Sequence, residues 1–105
     1  MLNKELLLLD IFSKTVTVTV TLEALNNKYG LVRVYSEYLN YEHKFASNEK
    51  ITLSNVPKGT QFELSTDKGD VSFSVERGFD IIQNRYPTVL EVNGDTDAYV
   101  TFRSY

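Results

Sequence analysis

The chain has 105 residues, a length typical of one domain with one hydrophobic core. It contains no cysteine, which excludes disulfides, zinc–thiolate sites and iron–sulfur ligation. Eleven basic and fourteen acidic side chains give a net charge of −3, a balance that disfavours a nucleic-acid-binding surface or a polybasic membrane patch. We therefore expect no nucleic-acid partner, no membrane partner and no cofactor.

The first residues include an apolar run, Leu6-Leu7-Leu8-Leu9, that Asp10 interrupts. The run lacks the basic flank and the cleavage site of a secretory signal peptide. No stretch of the sequence reaches the roughly 20 apolar residues that span a bilayer. We expect synthesis in a cytoplasm. Residues 1–13 fit an N-terminal strand or a short helix capped by Asn3, because a run this short does not separate the two.

Residues 15–22 alternate strictly between threonine and an aliphatic residue. This pattern predicts a strand with one buried face, formed by Val16, Val18, Val20 and Leu22. Similar alternation with polar neighbours predicts three core phenylalanines farther along the chain: Phe62, Phe73 and Phe102.

Turn signals recur between the predicted strands, and the Asn93-Gly94 pair is a strong hairpin signal. Short strands separated at such intervals predict an all-β fold. We predict that residues 1–105 form a single antiparallel β-sandwich of seven to eight strands, immunoglobulin-like or prealbumin-like. The alternative is a small closed β-barrel.

The segment 36–46 carries aromatic residues at a spacing that also fits a helix. Because its neighbours are predicted strands, we expect a strand that breaks near Asn40. In that arrangement four residues share one face: Tyr35, Leu39, Tyr41 and Phe45.

Residues 31–67 hold an apolar strand, the turn Asn55-Val56-Pro57-Lys58-Gly59 and a strand that opens with Thr60. This order resembles prealbumin-like sandwich modules, including the B-type repeats of bacterial collagen-binding surface proteins. The resemblance implies the sandwich fold. Some members of that family carry an isopeptide bond from a lysine in the first strand. Residues 15–22 hold no lysine, and Ser65 and Thr66 stand where the acidic catalyst is expected, so we predict no isopeptide bond.

No catalytic motif occurs in the sequence. The single histidine, His43, lies between Glu42 and Lys44, and there is no Gly-x-Ser-x-Gly elbow or glycine-rich phosphate loop. We expect a protein that is not an enzyme. The loop 93–97 concentrates oxygen ligands, and Asp95 and Asp97 are candidate calcium ligands there. Turn chemistry explains the same residues without a metal.

Four of the seven tyrosines crowd one segment: Tyr29, Tyr35, Tyr38 and Tyr41. Tyrosine is favoured at binding surfaces because it has an apolar body and a polar tip, although it is also a common strand residue. We predict that these four residues anchor a partner.

The function that we predict is a non-enzymatic protein-binding or structural module. Its partner is another protein, or a second copy paired through an edge strand or the tyrosine-rich segment. A small phage or prophage protein fits this prediction, as a virion-associated assembly component or as an inhibitor of a host protein. The alternative is a carbohydrate-binding module that uses exposed tyrosines and calcium at Asp95 and Asp97.

Overall fold

A computed structural model describes residues 15–24, 32–45, 48–66, 71–84 and 87–104. These residues form nine strands and no helix: β1 (Thr15–Ala24), β2 (Val32–Ser36), β3 (Tyr41–Phe45), β4 (Glu49–Pro57), β5 (Gln61–Thr66), β6 (Val71–Arg77), β7 (Phe79–Asn84), β8 (Thr88–Val92) and β9 (Ala98–Ser104). The strands make a four-stranded sheet in the order β4-β1-β9-β6 and a five-stranded sheet in the order β3-β2-β5-β8-β7. The prediction for residues 1–13 lies outside the described residues.

The core lies between the two sheets, because alternation along each strand directs apolar side chains to the inner faces. In β1 the four predicted aliphatic residues are buried, and the threonines between them are only partly buried. Phe62 and Phe102 are buried, and Phe73 packs partly buried against the same cluster. The predicted faces of β1 and the predicted core phenylalanines are confirmed.

The β-sandwich prediction is confirmed: the described strands form two unclosed sheets, each with two edge strands, and not a closed barrel. The nine strands in the described residues exceed the predicted seven to eight, since residues 71–84 form two strands on different sheets. One central pair also departs from the antiparallel pattern: β1 and β9 are parallel, with Val18 opposite Ala98 and Leu22 opposite Phe102. Such a pairing of distant segments leaves no local signal in the sequence.

The chain passes between the sheets several times, and two of these crossings are at Gly78 and in the loop 93–97. Gly78 has a φ of 85°, and a Cβ there would lie 2.5 Å from the Cα of Ala98, so only glycine fits this crossing. The hairpin predicted at Asn93-Gly94 is wrong. β8 pairs with β5 and β7, whereas β9 pairs with β1 and β6, so the loop leads from one sheet to the other.

For residues 36–45, the described part of the segment 36–46, the prediction of a strand broken near Asn40 is confirmed. β2 and β3 form a hairpin, and Asn40 closes its turn with a φ of 52° and an N–H that donates to the carbonyl of Glu37 over 3.0 Å. The predicted common face holds for Leu39, Tyr41 and Phe45 and is wrong for Tyr35. Tyr41 lies opposite Ser36 and shares its inner face, whereas Tyr35 lies opposite Glu42 on the outer face.

Among the described residues no helix is long and apolar enough to cross a membrane.

Candidate functional site

A groove of about 470 Å³ lies on the five-stranded sheet, at the end where the turns 37–40 and 57–60 meet it. It draws residues from β2, β5, β8 and both turns: Tyr35, Glu37, Tyr38, Gly59, Gln61, Phe62, Glu63 and Val89. We call this surface the tyrosine groove. Its volume falls in the range of roughly 300–1,000 Å³ typical of ligand pockets.

The floor of the tyrosine groove is a row of cross-strand neighbours. Tyr35 of β2 lies opposite Glu63 of β5, which lies opposite Val89 of β8. Directly opposite residues share one face of a sheet. Because Phe62 and Leu64 on either side of Glu63 are buried, this row belongs to the outer face.

One wall of the tyrosine groove is the turn 37–40, which the core holds in place. Ser36 is buried, and its hydroxyl accepts a hydrogen bond from the N–H of Leu39 over 3.4 Å. Leu39 packs against the hydrophobic cluster. This anchoring fixes the backbone of the turn while Tyr38 stays 64% exposed.

The other wall is the turn 57–60, which is bonded to the end of β8. The N–H of Gly59 donates to the carbonyl of Val92 over 2.8 Å, and the N–H of Val92 donates to the carbonyl of Thr60 over 2.9 Å. The buried hydroxyl of Thr60 donates to the carbonyl of Pro57 over 2.8 Å. The turn is therefore fixed to the sheet on which the groove lies.

The tyrosine groove is acidic. Its lining residues include Glu37 and Glu63 and no basic residue. The ion pairs of the described residues involve neither of these carboxylates. The side chain of Gln61 is already hydrogen-bonded to the neighbouring strand β8, because its amide donates to Oε1 of Glu91 over 3.0 Å.

Arg33 lies beside the groove, and its positive charge is already paired with the carboxylate of Glu42. Its guanidinium packs over the ring of Tyr35, 4.4 Å from the centre, and its Nε donates to Oε2 of Glu42. This hydrogen bond lowers the pKa of the Glu42 carboxyl and raises the pKa of Arg33. Arg33 therefore stabilises the Tyr35 ring and pairs with Glu42.

The structure brings two of the four predicted tyrosines together. Tyr35 and Tyr38 line the tyrosine groove, and Tyr41 lies on the inner side of the edge strand β3. Burial, with a smaller contribution from Glu49, raises the pKa of Tyr41. Tyr29 lies outside the described residues.

Sequence reasoning missed three polar lining residues, Glu37, Gln61 and Glu63. Alternation beside Phe62 and Leu64 was a signal that Gln61 and Glu63 point outward. The position of Glu37 depends on how the β2–β3 turn meets the rest of the sheet, which no local pattern gives.

The two candidate calcium ligands lie in the sheet-crossing loop 93–97, where both are exposed. Oδ1 of Asp97 accepts a hydrogen bond from the N–H of Thr17 over 3.1 Å, and the N–H of Asp95 donates to Oδ1 of Asn93 over 2.9 Å. Among the described residues no group of three or more His, Asp or Glu side chains is placed to hold a metal ion. The side chain of Asn93 makes a local turn hydrogen bond, whereas Asp97 ties the loop to β1.

His43 is separate from the tyrosine groove. Its Nε2 lies 3.0 Å from Oε2 of Glu49, and its ring meets Phe45 edge to face with 4.9 Å between centres. Both contacts are with residues of the strands β3 and β4, and neither residue lines the tyrosine groove.

The inner faces of β1 and β9 meet through apolar pairs only: Val18 with Ala98, Val20 with Val100, and Leu22 with Phe102. The lysines of the described residues, Lys44, Lys50 and Lys58, are exposed. In the described part of the chain, the inner faces of these two strands carry no lysine, and the absence of an isopeptide bond stays a prediction.

No protein-family model and no curated protein matches the sequence. Two solved structures are similar, both of a bacterial adhesin from Mobiluncus mulieris containing intramolecular disulfide, isopeptide and ester bond cross-links, in space groups P1 and P21. Their TM-scores are 0.61 and 0.60, each at 13% identity over 86% of this chain. The chain spans 40% and 41% of the lengths of those structures. At this identity the likeness shows the β-sandwich fold alone, and the resemblance to B-type repeats stays a prediction.

Proposed function

We propose that this chain is a non-enzymatic β-sandwich module that binds another protein through the tyrosine groove. One observation carries the proposal: the fixed turn 37–40 presents Tyr38, 64% exposed, beside Tyr35 on an acidic sheet surface that the turn 57–60 also borders.

The composition of the tyrosine groove supports binding. Tyrosine is enriched in protein interfaces, where its ring supplies large contact area. The floor is a hydrogen-bonded sheet, and the turns are bonded to β2 and β8. A surface ordered before binding loses less conformational entropy when the partner arrives.

The same lining residues argue for binding rather than covalent chemistry. They include no serine, threonine, histidine or lysine. The lining therefore lacks the aliphatic hydroxyl, imidazole and amine groups that commonly act as nucleophiles. The similarity of the fold to an adhesin is consistent with a binding or structural role.

The experiment is a selection of random displayed peptides on the immobilised protein. Enriched peptides are then measured against three variants: Tyr38→Ala, Tyr35→Ala and, as the matched control, Tyr99→Ala. Tyr99 is also an outer-face strand tyrosine with an arginine over its ring, but it lies on the four-stranded sheet.

We expect the enriched peptides to bind the Tyr38→Ala variant at least about tenfold more weakly, the loss typical of a hot-spot residue, and the control variant as tightly as the original chain. Equal binding to all variants, or no enrichment at all, contradicts the proposal.

A second candidate function, self-association, is favoured by the edge strand β7. It exposes Ile81 at 50% and Ile82 at 52%, which are unusual exposures for large aliphatic residues. The register of β7 against β8 shifts between Ile81 and Gln83. Such a bulge interrupts the ladder, so contact between copies would run through these side chains.

Light scattering across a concentration series tests this candidate. Self-association predicts a mass that rises above the 12.0 kDa of one chain and returns to it in the Ile82→Lys variant. A constant 12.0 kDa at all concentrations rejects it. The carbohydrate-binding alternative, the phage origin and the virion-associated location stay predictions.

A further inference from the structure

We propose that the partner inserts a lysine or arginine side chain into the tyrosine groove, between the ring of Tyr38 and the carboxylates of Glu37 and Glu63. This inference rests on the proposed function and adds the chemistry of the partner.

Charge is the first argument. Two carboxylates line the tyrosine groove, no lining residue is basic, and no ion pair among the described residues uses either carboxylate. Arg33 acts on Glu63 through space, but its hydrogen bond goes to Glu42. A cation from a partner complements this surface, whereas an acidic group would be repelled.

The aromatic rings are the second and independent argument. The outer-face tyrosines of this fold already bind guanidinium groups: Arg33 lies 4.4 Å from the centre of the Tyr35 ring, and Arg77 lies 4.6 Å from that of Tyr99. The face of a tyrosine ring attracts cations electrostatically. The cation–π contacts of the described residues leave Tyr38 unused, and its ring is 64% exposed.

The shape of the site is the third argument. The turns 37–40 and 57–60 flank the outer face of the sheet and form an open groove of about 470 Å³. A long, flexible side chain with a charged tip fits such a site, because its methylene stem packs on Tyr35 and Tyr38 while the tip reaches the carboxylates.

The experiment uses the complete chain and positional-scanning heptapeptide arrays in which one position is fixed as lysine, arginine, norleucine or glutamate. An array of neutral oligosaccharides is probed in parallel. The variants are Tyr38→Ala, Glu37→Gln and Glu63→Gln, with Glu76→Gln as the control, since Glu76 is an exposed carboxylate on β6 outside the groove.

We expect peptides with a fixed lysine or arginine to bind about fivefold better than those with norleucine, a ratio consistent with an exposed ion pair and a cation–π contact. Each groove glutamine variant should reduce this preference about threefold, and Glu76→Gln should leave it unchanged. Raising the salt concentration should weaken binding of the basic peptides, because exposed charge pairs are screened.

The two proposals fail in different ways. Binding that needs Tyr38 but prefers norleucine or glutamate, or that selects a neutral oligosaccharide, overturns the proposal that the partner inserts a lysine or arginine. Peptide binding that survives the Tyr38→Ala substitution overturns the groove as the binding surface and, with it, the proposed function.

Discussion

On the five-stranded sheet the guanidinium of Arg33 lies 4.4 Å from the centre of the Tyr35 ring, and on the four-stranded sheet that of Arg77 lies 4.6 Å from the Tyr99 ring. Both tyrosines stand on central strands, and both are partly buried. The contact is thus nearly the same on the two outer faces, yet only the Tyr35 face has the tyrosine groove.

The surroundings of the two rings explain the difference. Tyr99 lies opposite Thr19 on β1 and Arg77 on β6, on a face that carries the short threonine side chains of β1. Tyr35 lies at the end of β2, where Tyr38 and Gly59 of two turns join it. The two outer faces of this chain therefore share a tyrosine stacked with arginine, and it is the neighbouring turns that form the tyrosine groove.

The largest expected effect is on stability, at Gly78, where the chain crosses from β6 of the four-stranded sheet to β7 of the five-stranded sheet. Gly78→Ala should lower the free energy of unfolding by about 3 kcal/mol, because its Cβ would overlap the backbone of Ala98 at a positive φ. Gly59→Ala is the control: its φ is 91°, but no atom lies within 4 Å of the added Cβ. It should lose about 1 kcal/mol. Equal losses in urea unfolding would show that Gly78 is not a tight crossing.

A smaller effect is expected at the loop 93–97. Asp97→Ala removes the acceptor for the N–H of Thr17 and should cost about 1 kcal/mol of unfolding free energy. Asp95→Ala, which leaves that hydrogen bond intact, should cost less than about 0.5 kcal/mol. Adding calcium should leave the unfolding curve of the original chain unchanged. Stabilisation by calcium that either substitution abolishes would instead establish a metal site here.

Double-mutant cycles measure whether the two arginine–tyrosine stacks contribute equally to stability. The coupling of Arg33 with Tyr35 and that of Arg77 with Tyr99 should each be about 0.5 kcal/mol in urea unfolding, because both are cation–π contacts at partly exposed sites. A coupling at Tyr35 larger than that at Tyr99 by more than about 1 kcal/mol would mean that the stacks themselves differ.

The smallest effect is the pH response of the pair beside the groove. The hydrogen bond from Arg33 lowers the pKa of Glu42 below its ordinary value of 4.5. The folded state therefore gains stability from this group above pH 4.5 and loses that gain as the pH falls through the lowered pKa. A titration followed by NMR should place the Glu42 carboxyl below 4.5 in the original chain and closer to 4.5 in the Arg33→Met variant. An unchanged midpoint in that variant would contradict the assignment of the shift to Arg33.

Local sequence patterns predicted the features that depend on the residues of one short segment. The buried face of β1 follows directly from its threonine–aliphatic repeat, and the break near Asn40 follows from a residue type that tolerates positive φ. Long-range pairing was not predictable in this way. The parallel pairing of β1 with β9 joins segments about 80 residues apart, as the Thr17–Asp97 hydrogen bond shows.

The candidate site likewise combines a feature that is visible in the local sequence with features that depend on long-range strand pairing. The tyrosine-rich segment was recognised from composition, but a hairpin reverses the chain inside it, so Tyr41 turns away from the face that holds Tyr35. Glu63 and Gly59 come close to Tyr35 and Tyr38 only through the pairing of β2 with β5. The acidic character of the tyrosine groove is therefore a tertiary property.

We propose that the tyrosine groove, and not the other outer face, receives the partner. This is tested by following backbone amide NMR signals while adding the tightest peptide from the display selection. We expect the largest shifts at Tyr35, Tyr38, Gln61 and Glu63. Shifts concentrated around Thr19 and Tyr99 on the four-stranded sheet, or around Ile81 on β7, would contradict it.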